Sequence, residues 1–168
     1  GIDNIASGDD MLLMHKIRKL YPDKVHYLKS KEAIVTTKPV YSWRAFFNQR
    51  IRWASKADKY DDKRIFMVLL LVYFVNAMLM ALPVIGLIGN VQYSIFNIQY
   101  SIWVVWLLLL LLKTITELIF LYPVAKFFGK QSILWLFPLM QPFHILYTVI
   151  AGWLGKFGSY SWKERKVK

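Results

Sequence analysis

Apolar positions fall into two regimes along this chain. Up to residue 64 they are interspersed with polar ones. From Ile65 onward they run almost unbroken. In the first regime Leu13, Met14, Ile17 and Leu20 recur at helical spacing and predict a helix over residues 11–20, ended by Tyr21-Pro22-Asp23. Residues 25–28 and 33–37 read as short strands around a Lys29-Ser30-Lys31-Glu32 turn, the second broken by Pro39. A second helix is predicted over residues 42–57. It has Trp43, Phe46, Phe47, Ile51 and Ala54 on or near one side, and Arg44, Asn48, Arg52 and Lys56 towards the other. Aromatic residues opposite cations suit a helix lying in the headgroup plane of a membrane.

The second regime holds the membrane candidates. Residues 65–89 run 25 positions without a charge, which at about 1.5 Å per residue exceeds a hydrocarbon core of roughly 30 Å. Residues 102–125 form a second predicted span, containing Lys113 and Glu117. Residues 133–154 are uncharged but hold Pro138, Gln141, Pro142 and His144, so they read either as a kinked span or as a re-entrant hairpin.

Charge divides the chain in the same way. The net charge is +12 over 168 residues. Residues 1–64 hold 14 Lys/Arg and 8 Asp/Glu, residues 65–155 hold 3 and 1, and residues 156–168 hold 5 and 1. A charged head and tail flanking 91 almost uncharged residues is the pattern of a membrane protein. Lys56, Lys59, Lys63 and Arg64 precede the first span, and Lys126 and Lys130 follow the second. The positive-inside rule therefore puts the head and the second loop in the cytoplasm of a multi-pass protein of the cell (inner) membrane. For the tail, charge favours the hairpin and length favours the span. A hydrophobic content of 57% excludes disorder, and the absence of cysteine excludes disulfides, thiolate metal sites and a cysteine nucleophile. The cations follow topology and no nucleic-acid motif is present, so nucleic acid is not an expected partner.

Two motifs carry candidate chemistry. Ser7-Gly8-Asp9-Asp10 opens the first helix. There a carboxylate is either a cap favoured by the helix dipole or a general base within reach of an acceptor hydroxyl. Gln49-Arg50-Ile51-Arg52-Trp53 lies in the second helix. It is either a lipid-gripping basic segment with a Trp anchor, or a clamp in which Arg52 offers its planar fork to a diphosphate and Trp53 a flat face to a sugar. Within the second span, Lys113 and Glu117 stand four apart. They are either a self-neutralising pair aided by Thr114 and Thr116 or the lining of a lipid groove or polymer channel. His144 and Gln141, three apart, suit interhelical hydrogen bonding. His15 and His26 read as surface residues, Asp58, Asp61 and Asp62 as a solvated hinge, and Trp103, Trp106 and Trp135 as interfacial anchors.

A Gly-Asp-Asp helix start, a Gln-x-x-Arg-Trp box 39 residues after Asp10, and then membrane spans occur here in order. This order resembles the C-terminal part of membrane-bound family 2 glycosyltransferases, which include cellulose, chitin and hyaluronan synthases and smaller lipid or exopolysaccharide enzymes. The resemblance covers residues 7–64 by motif and the rest by general architecture. Trp162-Lys163-Glu164-Arg165 is similar to a Trp-Lys-Gly-Arg ending of some smaller members, with Glu164 in place of glycine.

The resemblance implies a fold class: a mainly α membrane protein carrying the C-terminal piece of a GT-A type α/β catalytic domain. Residues 1–40 would belong to that domain, 41–64 to an interfacial helix with the box, 65–155 to two or three transmembrane helices, and 156–168 to a basic tail. It also implies roles. Asp10 would be the catalytic base with Asp9 its neighbour. Gln49, Arg52 and Trp53 would close over the nucleotide diphosphate and the acceptor. The donor would be a nucleotide sugar, the acceptor a lipid or glycan, and the reaction an inverting displacement. The family binds a divalent metal, Mg or Mn, through an Asp-x-Asp motif. This sequence has none. The metal ligands and the donor-binding half are therefore expected in a longer polypeptide or a partner, and the isolated chain is expected to be inactive. The alternative is a non-catalytic membrane module that binds anionic lipid or a partner protein.

Overall fold

The structure, a computed structural model, describes residues 9–57, 59–60, 62–89, 92–95, 98–162 and 165–167. Side chains of residues 9–10, 92–95, 98–100, 162 and 165–167 lie outside the description, as do Ser7, Gly8, Asp58, Asp61, Lys163 and Glu164. The described elements are mainly helices: α1 (Asp9–Leu20), α2 (Trp43–Ala54), α3 (Lys63–Ile88), α4 (Ile102–Phe127) and α5 (Gln141–Phe157). Two small antiparallel hairpins accompany them, one between α3 and α4 and one after α5. One is β1 (Gln92–Ile95) with β2 (Ile98–Ser101), the other β3 (Tyr160–Trp162) with β4 (Arg165–Val167). No GT-A type α/β domain is present among the described residues.

The chain forms two compact units, residues 1–71 with 150–168, and residues 72–149. In the first, α1 ends before a 3-10 turn at Pro22–Lys24, as Tyr21-Pro22 dictates. Its buried residue is Leu12, while Leu13, Ile17 and Leu20 of the expected face are exposed. Residues 25–28 and 33–37, expected as strands, are unpaired. The turn between them does form: Ile34 N–H donates to Lys31 O at 3.2 Å. There the Ser30 hydroxyl, together with a backbone hydrogen bond at Glu32, holds the Glu32 carboxyl below the usual range. Ser42 caps α2, accepting from Ala45 N–H at 3.2 Å.

The second unit contains the α3–α4 hairpin from Val72 onward. Both helices are 26 residues, about 39 Å at helical rise, so each is long and apolar enough to cross a membrane. Only 17% of the most apolar stretch of α3 and 6% of that of α4 is buried, far less than in the core helix of a soluble protein. Their contact is narrow. Asn76, Leu79 and Leu82 form the buried stripe of α3, while Ile102 and Thr114 are buried on α4. A Cβ at Gly86 would lie 2.9 Å from Ile102 Cγ2 and 3.1 Å from the Trp103 ring, so the helices approach through the bare glycine. Trp106, expected as an anchor, instead donates its indole N–H to Leu79 O at 2.9 Å. Gly129, at φ 63°, ends α4 in a left-handed turn.

The third apolar segment is not one helix. A 3-10 stretch, Gln131–Leu136, is followed by turns, and α5 starts at Gln141-Pro142. Pro138 and Pro142 lack the amide hydrogens that a continuous helix would use, which explains the break. The 17 residues of α5 amount to about 25 Å. Its last residues and the β3–β4 hairpin belong to the same compact unit as α2.

Candidate functional site

The box residues sit on α2 according to helical spacing. Gln49, Arg52 and Trp53, three and four apart, share one face. Phe47, Ile51 and Ala54 occupy the opposite face. Ile51 is buried with Ala151 and Tyr160, and Phe47 packs against this cluster. A Cβ at Gly155 would stand 2.8 Å from Ala54 Cβ and 2.9 Å from Ser55 N, so α5 lies directly on the end of α2. The apolar side expected to face lipid is therefore largely used by the protein itself. Trp43 and Trp53 remain exposed, at 69% and 48%.

This packing fixes the face that carries the box. Gln49 and Arg52 are half-buried. The Arg50 guanidinium lies 4.6 Å from the Trp53 ring centroid and 4.9 Å from that of Phe46. One face of the Trp53 indole is therefore already occupied by a cation. Asn48 next to the box pairs with the backbone of Ser161 in β3, donating at 2.6 Å and accepting at 2.8 Å. Sequence reasoning placed Asn48 only on the polar side, since nothing local signals a partner so distant.

Asp9 and Asp10 are the first two residues of α1, inside a helix expected to begin at residue 11, and their side chains lie outside the described residues. Nearby, His15 is half-buried rather than at the surface, with its ring 5.9 Å from that of Tyr60. His26 is exposed as expected.

A second constellation lies in the other unit. Lys113 Nζ donates to both Glu117 oxygens at 2.8 Å and to Gln141 Oε1 at 2.8 Å. Gln141 Nε2 donates to Glu117 Oε2 at 2.7 Å, so the amide bridges the ion pair. His144 Nδ1 lies 3.3 Å from Lys113 Nζ and 3.9 Å from Glu117 Oε2. The expected pair is thus a four-residue network joining α4 to the start of α5. Thr114 and Thr116 take no part in the ion pair. Each donates to its own helix, to Leu110 O at 2.7 Å and Leu112 O at 2.8 Å.

No group of three metal-ligating side chains converges among the described residues, so the residues present do not fit the divalent metal that the family resemblance implies. Comparison with protein-family models, with curated proteins and with solved structures finds no match to this chain.

Proposed function

We propose that this chain is the C-terminal catalytic and membrane portion of an inverting glycosyltransferase. It transfers a sugar from a nucleotide sugar to a lipid-linked or polysaccharide acceptor at the cytoplasmic membrane face. The supporting observation is that Gln49, Arg52 and Trp53 share the face of α2 opposite buried Ile51, just before the first apolar helix. A fork-shaped cation and a flat indole on one rigid face suit a leaving diphosphate and a sugar ring. Asp10 at the start of α1 serves as the base that takes the acceptor proton. The exposed stripe of Leu13, Ile17 and Leu20 suits a donor-binding half packed against α1. The two long apolar helices and the charge bias of the loops support a multi-pass place in the inner membrane with the head in the cytoplasm.

The test uses membrane vesicles holding the full-length polypeptide and a panel of nucleotide sugars, with release of nucleoside diphosphate as readout. Asp10→Asn and Arg52→Ala should each lower release by about a hundredfold or more at unchanged protein level. Full activity in both variants overturns the reading.

A second reading has an observation of its own. Exposed Trp43 and Trp53, with Arg44, Arg50 and Arg52 on the same helix, suit a module that grips anionic lipid without catalysis. Asp10→Asn then costs only about 1 kcal/mol of helix stability.

A further inference from the structure

The box segment carries two arginines, and the transfer chemistry uses only Arg52. Arg50 follows Phe46 by four residues and precedes Trp53 by three, so helical spacing puts all three on one side of α2. The Arg50 guanidinium lies 4.9 Å from the Phe46 ring centroid and 4.6 Å from that of Trp53, and its Nε is buried. The cation is thus held between two rings one helical turn to either side. Trp53 stays 48% exposed under this cover.

We propose that Arg50 is a specificity-determining residue: acting across the Trp53 ring, it turns away an acceptor sugar that bears an ammonium group and admits a neutral one. The proposal rests on the reading of Trp53 as the platform for the acceptor sugar. A bare indole would select the opposite way. Its face carries the negative end of the ring quadrupole, and tryptophan attracts cations best of the aromatic side chains. In this protein that attraction is already engaged by Arg50.

A sugar on the far face of the ring adds about one stacking distance to the 4.6 Å of the guanidinium. An ammonium on that sugar would then stand roughly 8 Å from a like charge. Between unit charges at a partly exposed site, repulsion over that distance changes affinity by about fivefold. Helix α2 offers nothing to offset it, because its charged residues are Arg44, Arg50 and Arg52. A hydroxyl in place of the amine meets no such repulsion.

The test reads the platform directly. The full polypeptide is labelled with fluorotryptophan, reconstituted in phosphatidylcholine nanodiscs and followed by fluorine NMR. The Trp53 signal is the one missing from Trp53→Phe. The probes are methyl glucoside and methyl glucosaminide at pH 6, where the amine is protonated, so the two differ in one hydroxyl against one ammonium. The glucoside should shift the Trp53 signal at about fivefold lower concentration. In Arg50→Gln that preference should vanish. Arg50→Lys keeps a cation for the ring and should retain it. Arg44→Gln removes an equal charge elsewhere on α2 and should retain it too. Should Arg50→Gln not fold, Arg50→Met takes its place. No shift with either sugar, no preference in the unmodified protein, an unchanged preference without the Arg50 cation, or its loss in Arg50→Lys or Arg44→Gln overturns the proposal. None of these readings requires turnover. Full nucleoside diphosphate release by Asp10→Asn and Arg52→Ala strikes at the transferase reading, whereas lost release with an unchanged sugar preference in Arg50→Gln strikes at the role of Arg50 alone.

Discussion

Asn48 and Ser161, 113 residues apart, close a ring of two hydrogen bonds: the Asn48 amide N–H donates to Ser161 O, and its Oδ1 accepts from Ser161 N–H. One side chain thereby stands in for a neighbouring strand at the edge of β3. Asn48→Ala removes both bonds and should raise exchange at the Ser161 amide about tenfold, in line with the roughly 1–2 kcal/mol such a pair supplies. Asn48→Asp keeps the acceptor but turns a carboxylate oxygen on the Ser161 carbonyl. It should loosen β3 at least as much, which hydrogen exchange would show.

Gly155 is a second point of contact with α2. Gly155→Val drives a branched side chain into Ala54 and the Ser55 backbone, and overpacking of this kind costs about 1–3 kcal/mol. Thermal melting in detergent should show the loss. Ala54→Gly removes one of the struck atoms and should restore part of it, whereas strictly additive melting shifts would mean that the two residues do not meet.

The ion pair makes a contrasting prediction. Lys113→Met leaves the part-buried Glu117 carboxylate without its cation and should lower stability, by less than the about 3–5 kcal/mol typical of breaking a fully buried pair from one side. Lys113→Met/Glu117→Met removes both charges and should be less destabilised than the single variant. Melting of the two proteins in one detergent ranks them, and the reverse order would contradict the pairing.

Topology can be read chemically, because the sequence contains no cysteine. Single cysteines at Ser30, Gln92 and Ser159 report on the head, the α3–α4 hairpin tip and the tail. An impermeant maleimide should reach Ser30→Cys and Ser159→Cys from one side of a sealed vesicle and Gln92→Cys from the other. Labelling of Ser159→Cys together with Gln92→Cys would mean three crossings. Two crossings are the expected outcome, because α2 and the tail share one compact unit and the charge of the tail favours the same arrangement.

Legibility varied with how local the cause was. The positions of α3 and α4 follow from long apolar runs, and Tyr21-Pro22, Ser42 and the Pro138/Pro142 pair mark the end of α1, the start of α2 and the break before α5 in plain sequence. The same periodicity misjudged α1: it found the apolar stripe, but Leu12 rather than Leu13 is covered, because burial depends on what packs there. Residues 25–28 and 33–37 have strand composition yet do not pair with each other, so propensity alone misled. In the candidate site, helical spacing was enough to put Gln49, Arg52 and Trp53 on one face. It could not show that Arg50 covers the Trp53 ring, that Asn48 holds β3, or that Gln141 and His144 join Lys113 and Glu117. Those contacts depend on the path of the whole chain.

The cluster of Ile51, Ala151 and Tyr160 draws on positions a hundred residues apart. A ribosome makes Ile51 long before it makes Tyr160. During that interval α2 has no tail to pack on, and its apolar side has only water, lipid or a chaperone to meet. The box-bearing helix therefore takes its final place only after both long apolar helices have been synthesised. A stalled or truncated product lacking Tyr160 would reach the membrane with α2 still adrift, an obvious mark for quality-control proteases.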